Sequence, residues 1–196
     1  MDPETSEEQI KKLEEEIERL RHLAYYDELT GVLNRRGFLR EAGAQFLLIS
    51  SGISTVERRV GVQIPFAIIF CDLDNFKSLN DTHGHAAGDE ALKMSVRASA
   101  AHLRQGDMLG RWGGEEFVVA LIGAGALYAR RIAEKLRESL EGTRLQWEDV
   151  PVSLTGSFGV ATYLTGDSLQ DIIARADSAM YEAKKSGKNR VVVAPE

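Results

Sequence analysis

The chain has 196 residues, 43% of them hydrophobic and 28% charged, the composition of a soluble globular protein with enough sequence for one ordinary domain. A formal net charge of −6 without a long basic stripe argues against a protein that tracks nucleic-acid phosphates. The single cysteine, Cys71, excludes an intramolecular disulfide framework and fits a reducing compartment; no stretch approaches membrane-spanning length, and no signal peptide is visible.

Residues 6–24 read as a coiled coil. Ile10, Leu13, Ile17, Leu20 and Ala24 alternate in steps of three and four, with isoleucine at one seam position and leucine at the other, the pairing that favours parallel dimers. Glu7 and Lys11, and Glu8 and Lys12, stand at i,i+4 spacing on the flanks. So short a run is marginal alone, and the alternative is one amphipathic helix lying on its own domain. Residues 1–26 are therefore set apart from a domain over 27–196. Thr30-Gly31 breaks the helix, and Asn34 is an N-cap for a second helix from Arg35 to about Ser50. A turn between two helices accounts for this stretch, except for the density of polar side chains around Leu29 and Leu33. Residues 51–65 read as a loop, with Glu57-Arg58-Arg59 a solvated turn.

Phe66 to Cys71 is a continuous apolar run, a central strand buried on both faces. It ends in Asp72-Leu73-Asp74, where open sheets place their ligands. Turn formation explains Asp74 better than Asp72. Residues 75–89 give a short helix, a polar loop and a new helix that starts after Gly88-Asp89 and runs to about Leu103. Asp89 is then placed to complement the helix dipole. His83 and His85 flank a glycine, but no cysteine or further histidine supports a tetrahedral metal site. Arg104 and Asp107 close this helix and resemble an ordinary surface pair.

Strands over Asp107–Trp112 and Phe117–Ile122 are joined by Gly113-Gly114, a hairpin signal because both residues can take positive φ without strain. Glu115 and Glu116 follow on opposite faces. Negative charge stacked at a tight tip calls for a nearby cation; the bland alternative is a solvated turn. Ala126–Leu140 is an amphipathic helix with Leu127, Ile132, Leu136 and Leu140 inward. Val152–Thr162 is one strand containing Gly156 and Gly159. Ser168 caps a helix to about Lys185 that buries Leu169, Ile172, Ile173, Ala176 and Met180 and ends at Gly187. Lys184, Lys185 and Lys188 cluster there, either for the helix dipole or as a triphosphate clamp. Val191–Val193 is a last strand.

Five separated blocks, DELTGVLNRR, CDLDNFKSLNDTHGHAAGDEAL, RQGDMLGRWGGEEF, SLTGSFGVAT and ADSAMYEAKKSGKNRV, resemble in their order the GGDEF domain of diguanylate cyclases, with the GGEEF variant at Gly113–Phe117. The resemblance covers Asp27 to Val193; only the loop around 51–64 looks longer than usual. It implies an α+β fold, a central and mainly antiparallel sheet flanked by helices, like the palm of nucleotide polymerases. It also implies a reaction in which two GTP condense to cyclic di-GMP with release of two pyrophosphates, one GTP on each of two facing domains.

The resemblance assigns roles by position. Asp72, the Leu73 carbonyl and Glu115 would hold metal, two Mg²⁺ per site with Mn²⁺ as a substitute; such hard cations take oxygen donors and stabilise attack and departure of phosphoryl oxygens. Glu116 would assist the second ion or activate the hydroxyl. Asn80 and Asp89 would read guanine, whose N1–H and exocyclic amine suit a carboxylate. Phe76 main chain, Lys77, Lys184 and Lys188 would contact phosphates. Lys188 replaces the family's usual arginine and loses its bidentate fork, which implies weaker phosphate orientation rather than inactivity. Arg104 and Asp107 match the product-binding inhibitory site. The implied partners are GTP, cyclic di-GMP and a second copy of the chain through the coiled coil, in a bacterial cytoplasm. The competing readings are a catalytically silent cyclic di-GMP receptor and a purely structural dimerisation domain.

Overall fold

The computed structural model describes residues 6–51 and 64–195. Nearly all of the 51–64 loop expectation, including Glu57–Arg59, lies outside them, as do the side chains of residues 6 and 7. In chain order the elements are α1 (Ser6–Tyr25), β1 (Leu33–Asn34), α2 (Arg35–Ser50), β2 (Phe66–Leu73), α3 (Phe76–His83), α4 (His85–Ala100), β3 (Met108–Gly113), β4 (Glu116–Ile122), α5 (Ala126–Glu141), β5 (Arg144–Trp147), β6 (Val150–Ser153), β7 (Gly156–Thr162), α6 (Leu169–Lys185) and β8 (Val191–Val193).

Six strands form one sheet in the order β1-β3-β4-β2-β7-β8. The three inner pairings are antiparallel; the two edge pairings, β1–β3 and β7–β8, are parallel. The mainly antiparallel α+β fold expected from the resemblance is thus observed. Every residue of β2 is buried. Because side chains alternate across a sheet, Ala67, Ile69, Cys71 and Leu73 face the layer of α4 and α5, whereas Phe66, Ile68 and Phe70 face α2 and α6. That sandwich explains an apolar run with no polar alternation.

Several sequence expectations hold locally. Asn34 accepts a hydrogen bond from the Gly37 amide (2.9 Å) at the start of α2. Ser168 and Asp171 form a reciprocal capping box on α6. That helix ends as a Schellman motif: the Lys188 amide donates to the Ala183 carbonyl (3.0 Å), and Gly187 sits at φ +114°.

Others are corrected. Gly113 pairs with Glu116, so the connecting residues are Gly114 and Glu115, and neither Gly113 nor Gly114 has a positive φ. A register shift between Arg111 and Gly113 makes Trp112 a bulge, which supplies the local twist that left-handed turn residues would otherwise give. The Trp112 ring meets Phe38 and Phe70 edge-on, with Arg35 over its face at 4.4 Å. α4 begins at His85, so Asp89 is its fifth residue and dipole complementation does not account for it. Leu127 is 84% exposed; the small Ala129 and Ala133 take the inward positions beside Ile132, Leu136 and Leu140. The expected strand over 152–162 divides: β6 pairs with β5 in a separate hairpin, and β7 begins at Gly156. The turn of that hairpin uses Glu148 and Asp149 at φ 48° and 65° with no glycine, so the usual hairpin-turn residue does not mark it in the sequence.

Gly159 explains how closely α6 lies on the sheet. A Cβ there would stand 2.0 Å from the Ala176 carbonyl oxygen and 2.2 Å from the Met180 amide nitrogen. Both obstacles are helix backbone. Gly159→Ala is therefore expected to cost about 3 kcal/mol or more of unfolding free energy, readable as a lower denaturant midpoint at unchanged slope.

The seam residues Ile10, Leu13, Ile17 and Leu20 are 48–63% exposed on the single chain, so α1 does not lie back on its own domain. Its end is firmly held. The Asn34 amide donates to the Ala24 and Tyr26 carbonyls (3.1 and 3.2 Å), Arg40 covers the Tyr25 ring at 4.4 Å, and Gly37 lets the Tyr25 carbonyl come where a Cβ would be 2.1 Å away.

Candidate active site

β2 and β4 run side by side with Asp72 opposite Glu116. The Leu73 amide donates to the Glu115 carbonyl at 3.3 Å. Two acidic segments more than 40 residues apart in sequence thus meet at one end of the sheet. Asp72 is 4% exposed, and its Oδ1 is buried without a hydrogen-bond partner. Lys184 of α6 reaches Oδ2 at 2.6 Å. Burial pushes the Asp72 carboxyl up to about 6; Lys184 opposes this, and Glu115 and Glu116 add to it. Glu116 is also raised, first by burial and then by the charges of Asp177 and Glu115.

A buried carboxylate oxygen without a donor, facing further carboxylates, fits a hard divalent cation. Among the described residues, no three carboxylate, imidazole or thiol side chains converge on one point. The donors at hand are Asp72 and Glu115 with main-chain carbonyls such as that of Leu73, a set that leaves room for water and substrate oxygens.

Arg111 holds the acidic turn in place. Its Nε and Nη2 both donate to the Gly114 carbonyl (2.9 and 2.7 Å), while Nη1 reaches both oxygens of Asp27 (3.1 and 3.2 Å). Burial opposes ionisation of Asp27, but hydrogen bonds from Thr30 and Arg111 outweigh it and hold the carboxyl below its ordinary value. This pairing explains the polar residues around Leu29 that a simple turn left over. Nothing in the sequence pairs residues 27 and 111.

Beside Asp72, the chain turns at Asn75, which has φ 57° and does not cap α3 with its side chain. The first amides of α3, from Phe76 and Lys77, stand at an N-terminus that side chains leave uncapped, a favourable place for phosphate oxygens. Asp74 does more than form a turn. It accepts from Thr155 Oγ1 (2.9 Å), Ser157 Oγ (2.7 Å) and the Asn189 amide (3.0 Å), tying β2, β7 and the loop after α6 together. In that loop Lys188 and Asn189 have φ of 62° and 45°, and Lys188 Nζ donates to Asn75 Oδ1 at 2.6 Å. Apart from Glu148 and Asp149 in the β5–β6 turn, the described non-glycine residues at positive φ, Asn75, Lys188 and Asn189, lie around the uncapped end of α3, as residues held for function do.

Phe76 is half-buried and Lys77 exposed on α3; Asn80 lies one turn further on, against α4, which carries the exposed Asp89. The structure therefore gathers Asp72, Leu73, Glu115, Glu116, Lys184, Lys188 and the start of α3 at one end of the sheet, with Asn80 and Asp89 on the adjoining helix pair. The resemblance does not point to Arg111, Asp74 or Asp177; only side-chain geometry does.

Arg104 and Asp107 sit elsewhere, at the opposite end of the β3–β4 hairpin. Six residues of β3 separate Asp107 from the acidic turn, a span of roughly 17–20 Å. Asp107 has a 1% exposed side chain that accepts from the Arg104 amide (3.1 Å) and Nε (3.4 Å). The Arg104 guanidinium, 52% exposed, also donates to the Ile122 carbonyl and lies 5.6 Å over the Tyr128 ring. The aspartate is the fixed member and the arginine the presented one.

Comparison with known proteins agrees with the geometry. The family model for the diguanylate cyclase GGDEF domain matches residues 24–190. The chain is 36% identical over 188 residues to the diguanylate cyclase VdcA of Vibrio cholerae, covering 94% of this chain and 51% of that one. It is 35% identical over 186 residues to DgcM of Escherichia coli, covering 94% and 41%. The chain thus spans about half the length of the curated relatives it matches, or less. Among solved structures, the coiled coil and GGDEF domain of DgcB from Caulobacter crescentus, in complex with c-di-GMP, superposes with a TM-score of 0.86 at 26% identity over 96% of this chain and 95% of that one. The active GGEEF domain of a diguanylate cyclase from Vibrio cholerae gives 0.73 at 29%, over 83% and 97%. By sequence, by fold and by the acidic turn at Gly113–Phe117, the chain belongs to the GGDEF family.

Proposed function

We propose that this protein is a diguanylate cyclase that joins two GTP into cyclic di-GMP with release of two pyrophosphates. The observation that carries the reading is the convergence of Asp72 and Glu115 beside an uncapped helix start, with one Asp72 oxygen buried and unsatisfied. Family members use divalent metal ions. Asp72, the Leu73 carbonyl and Glu115 would hold them here, two Mg²⁺ or Mn²⁺ per site, and the ions would supply charge stabilisation for the attacking and leaving oxygens.

The chain's own groups do the rest. The Phe76 and Lys77 amides, with the ammonium groups of Lys77, Lys184 and Lys188, bind and orient the triphosphate. Asn80 and Asp89 select guanine. Glu116, whose affinity for a proton is raised by burial and by neighbouring acids, accepts the proton of the 3′-hydroxyl. Lys184, paired here with Asp72 at 2.6 Å, would be available to phosphate with a cation on that carboxylate. Each domain carries one half-site, so two copies meet through α1, whose apolar seam is exposed on the single chain. Residues 1–26 act as the regulatory helix and residues 27–196 as the catalytic domain. Arg104 and Asp107 take up the product and restrain the domain.

Incubation with GTP and Mg²⁺, with chromatographic detection of cyclic di-GMP, tests the reading. Product is expected to form. A protein that binds cyclic di-GMP but makes none under any divalent ion would be a silent receptor. Arg104→Ala removes charged hydrogen bonds worth about 1.5–3 kcal/mol, or roughly 10–100-fold in product affinity. The variant is expected to keep synthesising where the parent has plateaued, read as the product concentration that halves the rate.

A further inference from the structure

Gly88 is the fourth residue of α4 and is buried. Its φ is not positive, so the backbone does not require glycine, and in a helix alanine is the better former. What a side chain would meet is specific. A Cβ at Gly88 would stand 1.9 Å from Asn80 Oδ1, 2.9 Å from Asn80 Cγ and 3.1 Å from Phe76 Cζ. These atoms belong to two α3 residues, Asn80 proposed at the base and Phe76 whose main-chain amide is proposed at the phosphates. Asn80 Oδ1 is itself buried without a hydrogen-bond partner, so the amide is seated in the crevice by the absence of a Cβ and not by a protein hydrogen bond.

Two other crowded glycines behave differently. At Gly159 and Gly37 the nearest obstacles are backbone atoms, 2.0 and 2.1 Å away, and an added methyl must move a helix. At Gly88 the obstacle is the end of a side chain. The fold can accept alanine there, and the displacement falls on Asn80.

We propose that Gly88 is a positioning residue for guanine recognition: with no side chain, it opens the α3–α4 crevice in which the Asn80 amide lies, next to the helix that carries Asp89. This rests on the assignment of Asn80 as a base reader. A methyl group at position 88 turns Asn80 out of the crevice and misplaces its donor and acceptor, while the metal turn and Lys184 are untouched.

The test compares Gly88→Ala, Asn80→Ala and the double variant for GTP turnover and thermal unfolding. Gly88→Ala is expected to raise KM for GTP roughly 10-fold with kcat changed less than about threefold. Its unfolding midpoint should equal or exceed that of the parent, a combination that a purely structural role would not produce. In the Asn80→Ala background the glycine change should add less than about twofold, because its target is gone. Parent-like kinetics for Gly88→Ala, beside an impaired Asn80→Ala, would overturn the proposal and leave base reading by Asn80 intact. So would effects that multiply in the double variant, or a lowered midpoint with kcat and KM both damaged. An Asn80→Ala protein with parent-like KM would instead remove the base-reading assignment itself, and the proposal with it.

Discussion

Glu115→Gln is expected to lower cyclic di-GMP formation by ~10³-fold or more, since a ligand to a charge-stabilising ion contributes several kcal/mol to the transition state. Product binding at Arg104 and Asp107 should persist, because those residues lie at the far end of the β3–β4 hairpin. Turnover and product titration on the same sample check both halves. Asp72→Asn should silence synthesis equally but with a second signature. Asp72 is buried next to Glu115 and Glu116, and burial raises its carboxyl to about 6. A folded-state value above the unfolded one means that the fold binds the proton more tightly than the unfolded chain does. Metal-free protein therefore loses stability as pH rises from the unfolded value through about 6. Asparagine removes that loss, so Asp72→Asn in chelator at pH 8 should unfold at a higher temperature than the parent, with the gap closing towards pH 4. A variant that is inactive and also less stable at pH 8 would mean that Asp72 serves the fold and not a cation.

The second large effect concerns the exposed seam of α1. Replacing Leu13 and Ile17 together with aspartate places charge on the exposed face where a partner helix would pack. The protein should become monomeric by molar mass. Tethering through a coiled coil gives facing domains an effective concentration of order mM, so at ~10 µM protein the specific activity should fall on the order of 100-fold. The residual rate should rise with the square of protein concentration. Undiminished activity in a proven monomer would remove the dimer from the mechanism. Inserting four residues into the seam tests orientation, since it rotates the domains about the helix pair while leaving the seam apolar; unchanged turnover would mean that α1 tethers without gating. A path for such gating is present. The end of α1 is pinned by Asn34 and Arg40, and Asp27, two residues beyond it, is bridged by Arg111 to the Gly114 carbonyl of the acidic turn. In a gated protein, a rotation of α1 would reach the peptide that precedes Glu115 through this partly buried ion pair.

What could be read from the chain alone was whatever is encoded among near neighbours. The apolar run of β2, the caps at Asn34 and Ser168, the stop at Gly187 and the helical stretch of α1 each depend on residues a few positions apart, and each stands where expected. The motif blocks likewise named the acidic, amide and cationic side chains now found together. Tertiary structure decided what depends on register and close approach. The bulge at Trp112 moved the turn to Gly114-Glu115, and small alanines turned Leu127 outward. The glycine-free turn at Glu148-Asp149 split an expected strand. The Asp27–Arg111 bridge spans 84 positions, and Lys184 meets Asp72 from another helix. Periodicity and capping act along the chain over one helical turn or one strand pair. Which carboxylate ends beside which cation is set only when β2 aligns with β4 and α6 settles on Gly159, and that alignment is a property of the packed core.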